Sequence, residues 1–261
     1  MRCSFHKHSA SKQLVTKMKL FGGKSFKDVL RNSFFLTIAV FALSYPYLYH
    51  YIVHRPDYLS KFNEKISNLS TLNALLFSLD QLIIFIVLIY ICSFVGFGFS
   101  EKYKFKGLGK FGETRKDLKY LLLVAIPLNI AIYLAFDKSM QEKIPTLYPD
   151  SYKWGLAKAL MSSSTFEVVS KFGLVTIVMG IFRNKHLAVI LPAIFFAILV
   201  PKTFADYGVE FGRDYLSIMA LSLALVYGIA SGYLYVYRGL ITVFVLRLLL
   251  DLKYFIYPLL N

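Results

Sequence analysis

Residues 155–182, GLAKALMSSSTFEVVSKFGLVTIVMGIF, decide how this chain is interpreted. The stretch exceeds the about 20 apolar residues that a helix needs to cross a bilayer, yet Glu167 and Lys171 lie near its middle. A charge at the centre of a membrane helix costs about 2.5–3.5 kcal/mol on the insertion scale. Both side chains must therefore face a protein interior or a wet cavity. Because they are four residues apart, we expect them to share one face of a helix.

The composition is that of a membrane protein. Hydrophobic residues make up 57% of the 261 residues and charged residues only 17%, which indicates a polytopic chain. The formal net charge of +15 comes mostly from the N-terminal tail and short loops, so it predicts contact with anionic lipid headgroups and not with nucleic acid. Cys3 and Cys92 lie too far apart to suggest a disulfide framework or a cysteine metal site. No metal and no cofactor are predicted.

The apolar stretches predict an all-α, polytopic membrane helix bundle of about seven transmembrane helices. An eighth passage arises if residues 138–154 enter the membrane. The chain divides into a basic cytoplasmic arm over residues 1–29, two transmembrane helices within residues 30–104, and a membrane core over residues 105–258. The predicted spans are 32–53, 74–99, 118–136, 155–182, 187–204, 215–236 and 239–258.

The charges of the connecting loops predict the orientation. Loops 100–117, 183–186 and 237–238 are each net positive, whereas the remaining connections mix acidic and basic residues. By the positive-inside rule, the basic loops and the N-terminus are cytoplasmic and the C-terminus is outside. We therefore predict a multi-pass protein of the cell membrane, with the lipid bilayer as its first partner.

The seventh predicted span repeats the pattern of the fourth. Arg247 and Asp251 are again four residues apart within an apolar stretch. At about 1.5 Å per residue, Arg247 and Glu167 lie at nearly the same depth. We therefore predict contact between Glu167 and Arg247, flanked by Lys171 and Asp251. Two interpretations remain open: a structural clamp of four charges, or a site for reaction or binding.

The charged motifs resemble those of the CPBP family (CAAX-protease and bacteriocin-processing, also called Abi), which are intramembrane glutamic proteases. The first family motif is E-E-x-x-x-R, and FEVVSK at residues 166–171 keeps the second glutamate as Glu167 and has Lys171 for the arginine. A later motif is H-x-x-x-N or H-x-x-x-D, and RLLLD at residues 247–251 has Arg247 for the histidine and keeps Asp251. The similarity covers about residues 105–258. The PrsW-type anti-sigma-factor proteases, with E-E-x-x-K, are the second resemblance.

The resemblance implies an endopeptidase of the glutamic or metallo type that acts on membrane-associated or prenylated peptides. It implies Glu167 as base and Arg247 as oxyanion donor, with Lys171 and Asp251 beside them. The family also has F-x-x-x-H on the span after its first motif, and residues 192–200 resemble it with Leu199 or Val200 in place of the histidine. Because Arg247 replaces the other histidine, both motif histidines are absent. The alternative is a catalytically inactive member that acts as a membrane scaffold or immunity-type binding protein. We expect feeble peptidase activity at most, and a membrane-bound peptide or protein as the partner.

Overall fold

A computed structural model describes residues 23–54, 71–143, 148–202, 212 and 214–255. These residues form helices and connecting turns without any β-strand, which confirms the predicted all-α class. The helices are α1 (Phe26–His54), α2 (Thr71–Phe99), α3 (Phe111–Lys143), α4 (Tyr152–Phe182), α5 (Lys185–Ile198), α6 (Tyr215–Arg238) and α7 (Leu240–Asp251).

Within the described residues, six helices are long and apolar enough to cross a membrane, namely α1 to α6, with α5 counted through Lys202. The chain is therefore a multi-pass membrane protein. The seventh predicted span, 239–258, is α7, which is described as 12 residues of helix and a further helical turn up to residue 255. The last three residues of that prediction, and residues 1–22 of the predicted arm, lie outside the described ranges.

Residues 138–154, which would form the eighth passage, include the end of one long helix and the start of the next. Lys138–Lys143 continues α3, and α4 begins at Tyr152. Residues 144–147, between them, lie outside the described residues.

Helix α4 is the centre of the bundle, and it packs against α1, α2, α5, α6 and α7. Of its most apolar stretch 44% is buried inside the protein, compared with 11% for α3. Its partners approach closely because small residues lie at the contacts: a Cβ on Gly173 would come within 2.6 Å of Cys92 Sγ on α2. Small residues are the usual means of bringing membrane helices together.

The N-terminal helices share the core of the later ones. Cys92 and Phe97 of α2 belong to the same buried cluster as Phe172 of α4 and Tyr235 of α6. The ring centroids of Phe97 and Phe172 are 5.0 Å apart, edge to face. Residues on both sides of the predicted boundary at 104/105 therefore contribute to one hydrophobic core.

The start of α7 is fixed by the loop that precedes α3. Leu240 N donates to Gly107 O and Ile241 N to Leu108 O, both at 3.0 Å. Gly239 adopts φ +93° and packs on Gly109, a backbone conformation that glycine adopts without steric cost. Because this junction sets the height of α7 in the bundle, it also sets the depth of Arg247 and Asp251.

Candidate functional site

The fourth helix changes its winding at the charged residues. Helix α4 is α-helical up to Glu167 and π-helical from Val168 to Val175, so Lys171 lies in the wider turns. Such π-helical turns are rare and are frequent at functional sites. The wider turns shift the side chains relative to one another, so the four-residue spacing no longer guarantees contact. No ion pair within 4.0 Å joins Glu167 to Lys171 among the described residues.

Glu167 and Lys171 each bind a partner on α6. Glu167 is 0% and Lys171 1% exposed. The Tyr227 hydroxyl donates a 2.7 Å hydrogen bond to Glu167 Oε1, and Lys171 Nζ donates one of 3.1 Å to the carbonyl oxygen of Gly228. Two successive residues of α6, Tyr227 and Gly228, therefore bind the acid and the base of α4.

Arg247 and Asp251 behave differently on the regular helix α7. Arg247 Nε lies 2.8 Å from Asp251 Oδ2, and Asp251 is buried. Arg247 Nη2 also donates a 3.3 Å hydrogen bond to Ser162 Oγ on α4. The four-residue spacing thus gives the intrahelical pair that α-helical geometry favours.

The predicted contact between Glu167 and Arg247 is wrong. The ion pairs within 4.0 Å in the described part of the chain do not include these two side chains. The two helices do bring both residues to Tyr227, since Arg247 Cζ lies 4.9 Å from the centroid of that ring. Arg247 is neutralised by the carboxylate one turn away on its own helix, and Glu167 is bound by a neutral hydroxyl.

The aromatic residues that line these charges are Phe166 and Tyr227. Lys171 Nζ lies 6.0 Å from the centroid of each ring, and Arg247 Cζ lies 5.1 Å from that of Phe166. A cation is attracted to the face of an aromatic ring at such distances. Both rings therefore lie beside both cations.

A cavity of about 560 Å³, hereafter the large cavity, lies next to Phe166 and Tyr227. Helices α3 to α7 contribute to its wall, and Lys171, Arg247 and Asp251 line it. Leu199 and Val200 also line it. Its remaining wall is mostly aliphatic and aromatic.

Glu167 lines a different cavity. This small cavity, about 180 Å³, is bounded by apolar residues of α1 and α7 together with Glu167, Ser163 and Ser164. Both serine hydroxyls donate to carbonyl groups of their own helix, at 2.6 and 2.7 Å. Glu167 Oε2 is buried and has no hydrogen-bond partner among the described residues. The four predicted site residues therefore divide between two cavities, with Glu167 alone in the small one.

A second buried ion pair was missed by the sequence analysis. Lys253 Nζ lies 2.8 Å from Asp137 Oδ2 and 2.9 Å from Oδ1, and the Tyr148 hydroxyl donates to Oδ1 at 3.0 Å. Asp137 is 2% exposed and ends a π-helical segment of α3, Tyr133–Asp137. The predicted third span, 118–136, ends one residue before Asp137 and so places it in an outer loop. Lys253 also lines the large cavity.

The described histidine side chains lie elsewhere. The ring of His50 stacks on Trp154 with centroids 3.7 Å apart, and His186 Nδ1 lies 2.6 Å from the Tyr233 hydroxyl in an exposed position. Neither lines either cavity. The residues that the structure describes contain no group of three His, Cys, Asp or Glu side chains that could hold a metal ion.

Comparisons of the chain with family models, with curated proteins and with solved structures found no match. The site must therefore be interpreted from its own geometry. Lys171, Arg247 and Lys253 line the large cavity together with the carboxylate of Asp251, and Glu167 lines the small one.

Proposed function

We propose that this multi-pass membrane protein binds a membrane-associated ligand in the large cavity and does not cleave it. It would be a non-catalytic protein of the CPBP type that the motifs resemble. The observation that supports this proposal is that Glu167 and Arg247 line different cavities and form no ion pair within 4.0 Å among the described residues. A peptidase needs its base and its oxyanion donor at one scissile carbonyl, whereas here these groups line separate cavities.

A second candidate function is the intramembrane endopeptidase that the same motifs imply. One observation favours it: Glu167 Oε2 is buried and lacks a hydrogen-bond partner in the described part of the chain, as a carboxylate that binds a water nucleophile would. In this mechanism Glu167 is the base and Arg247 the oxyanion donor, with Lys171 and Asp251 at their sides. Glu167 would have to exchange the Tyr227 hydroxyl for a water in the large cavity.

A peptidase assay separates the two functions. The purified protein in nanodiscs is incubated with prenylated and unprenylated membrane peptides, beside the Glu167→Gln variant. We expect no cleavage above that of the variant. Robust cleavage that Glu167→Gln abolishes would overturn the binding proposal and establish the endopeptidase.

Ligand binding is tested by photocrosslinking from inside the cavity. A diazirine amino acid at Ala224, which lines the large cavity, should react with one component enriched over the bulk membrane. The same amino acid at Ile181, which is 67% exposed, should react with bulk lipid. Identical adducts at both positions would contradict a binding function.

We further propose that the protein lies in the cell membrane with a cytoplasmic N-terminus, because the basic loops segregate to one side. Lys110 precedes α3, and Ser151 precedes α4. In a variant without Cys3 and Cys92, single cysteines at positions 110 and 151 should react with a membrane-impermeant reagent from the cytoplasmic and the outer side, respectively. Labelling of both from one side would contradict the proposed topology.

A further inference from the structure

We propose that the ligand of the large cavity is a single-chain amphiphile with an anionic head, a carboxylate or a phosphate, bound by Lys171 and Arg247. This inference rests on the proposed binding function and names the chemical class of the ligand. The hydrocarbon chain would lie along the walls that α3 and α5 provide.

Lys171 is the anchor, because its ammonium group has binding capacity left. An ammonium group has three donors, and with the residues that the structure describes Lys171 Nζ makes one hydrogen bond, to Gly228 O. Among the described residues no carboxylate lies within 4.0 Å of it. A buried charge of this kind is normally paired. The charge of Glu167 acts on Lys171 from beyond that distance, so an anionic head in the cavity would supply a direct pair and accept the remaining hydrogen bonds.

The charged groups of the cavity wall favour an anion over a cation. Lys171, Arg247 and Lys253 line it with a single carboxylate, that of Asp251. Asp251 is already bound by Arg247, and Lys253 is bound by Asp137. Arg247 has five N–H donors, of which hydrogen bonds to Asp251 and Ser162 use two. The wall therefore has N–H donors that are available to a ligand, whereas its carboxylate is already bound.

The opposite walls favour a hydrocarbon chain over a peptide. A peptide carries polar backbone groups at every residue, and each needs a partner in an apolar environment. Helices α3 and α5 offer only apolar side chains to the cavity, and a hydrocarbon chain needs no polar partner. The volume of about 560 Å³ falls in the range of small-molecule sites, about 300–1,000 Å³. The α3 and α5 residues in question are Val124, Leu128, Ile132, Phe136, Phe196, Leu199 and Val200.

The cavity is placed to receive such a ligand from the bilayer. Helix α3 packs mainly on α7, and its π-helical segment near Asp137 contacts α6. Leu128 of α3 and Leu199 of α5, both at 38% exposure, and Val226 of α6, at 65%, are cavity-lining residues that also reach the protein surface. This surface is the apolar one of a membrane protein, so the side between α3 and α6 faces acyl chains.

The test measures equilibrium binding of radiolabelled oleate to the purified protein in a neutral detergent. Lys171→Met should weaken oleate binding about tenfold or more, because charged hydrogen bonds contribute about 1.5–3 kcal/mol. Lys171→Arg should retain most of the affinity, since it keeps the charge. Lys110→Met is the matched control, as the Lys110 side chain is 82% exposed, and it should bind like the wild type. Oleate bound equally by Lys171→Met and the wild type would overturn the proposal.

Competing ligands identify the head group. Lysophosphatidic acid displaces oleate if a phosphate head is accepted as well as a carboxylate, whereas its failure to do so restricts the proposal to carboxylates. Monoolein and lysophosphatidylcholine, which share the chain and lack a net negative charge, should not compete. Competition by monoolein at the same concentration as unlabelled oleate would contradict recognition of an anion.

A second variant keeps the proposal testable if Lys171→Met does not fold. Ala224→Trp fills the large cavity and should abolish oleate binding, whereas Ala131→Trp, on an exposed face of α3, should not. Unchanged oleate binding by Ala224→Trp would place oleate outside the cavity and contradict the inference.

A farnesylated photoreactive peptide distinguishes this inference from the function on which it rests. Its capture at position 224, without oleate binding, would reject the lipid and preserve the binding function. The absence of any enriched adduct at position 224 would reject both.

Discussion

Helices α4 and α7 each carry an acid and a base four residues apart, and only α7 joins them in an ion pair. Arg247 and Asp251 lie 2.8 Å apart on a regular α-helix. Glu167 and Lys171 lie where α4 becomes π-helical, and each binds a different residue of α6. The winding of the helix, and not the spacing of the charges, decides whether the pair forms. On α7 the result is an ion pair, and on α4 it is a cation that lines a cavity and donates to a backbone carbonyl group.

The largest expected effect comes from breaking the α7 pair. Arg247→Met leaves Asp251 buried and unpaired, which should lower the free energy of unfolding by about 3–5 kcal/mol. Arg238→Met is the matched control, because its ion pair with Asp117 is partly exposed and should contribute at most about 1 kcal/mol. Denaturant unfolding in micelles measures both. Equal losses for the two variants would show that the α7 pair is no stronger than a surface pair.

A smaller loss is expected from the cation of α4. Lys171→Met removes a hydrogen bond to a carbonyl group and should lower the free energy of unfolding by about 1–3 kcal/mol, measured as above. If this variant loses as much stability as Arg247→Met, then Lys171 is paired as firmly as Arg247, and the contrast between the helices fails.

The fold was largely predictable, because helix length and hydropathy depend on local composition. The six long apolar helices lie where the sequence analysis placed the first six spans. The pairing of the charges was not predictable, because no feature of the sequence of residues 168–175 indicates π-helical winding. Tyr227 was missed because one tyrosine in an aromatic-rich span gives no signal until its neighbours are known. The proposed function, binding without cleavage, stays a prediction.

Removal of the Tyr227 hydroxyl tests the acid of α4. Tyr227→Phe leaves Glu167 Oε1 without its donor, so the free energy of unfolding should fall by about 1–3 kcal/mol. Tyr237→Phe, at an exposed tyrosine that accepts from Lys185, should change it little. In a Glu167→Leu background the cost of Tyr227→Phe should nearly vanish. A cost that persists in that background would show that the hydroxyl acts through another partner.

The smallest effect concerns a carboxylate outside the membrane-spanning segments. Asp214 caps α6, and hydrogen bonds from the backbone and hydroxyl groups of Ser217 lower its pKa. Because the folded pKa is depressed, its stabilisation is present above the unfolded pKa, about 3.9, and is lost as the pH falls through the folded pKa. Asp214→Ala should therefore lower the Tm slightly at pH 7, and the difference should disappear in acid. A pH-independent difference would contradict this assignment.

Double-mutant cycles on the two helices test the central claim most directly. In the first cycle Arg247 is replaced by methionine and Asp251 by leucine. In the second cycle Lys171 is replaced by methionine and Glu167 by leucine. Each coupling free energy comes from denaturant unfolding of four proteins. The account predicts a clearly larger coupling for Arg247 with Asp251 than for Lys171 with Glu167. Equal couplings, or a larger one on α4, would show that the π-helical turns do not separate the acid from the base.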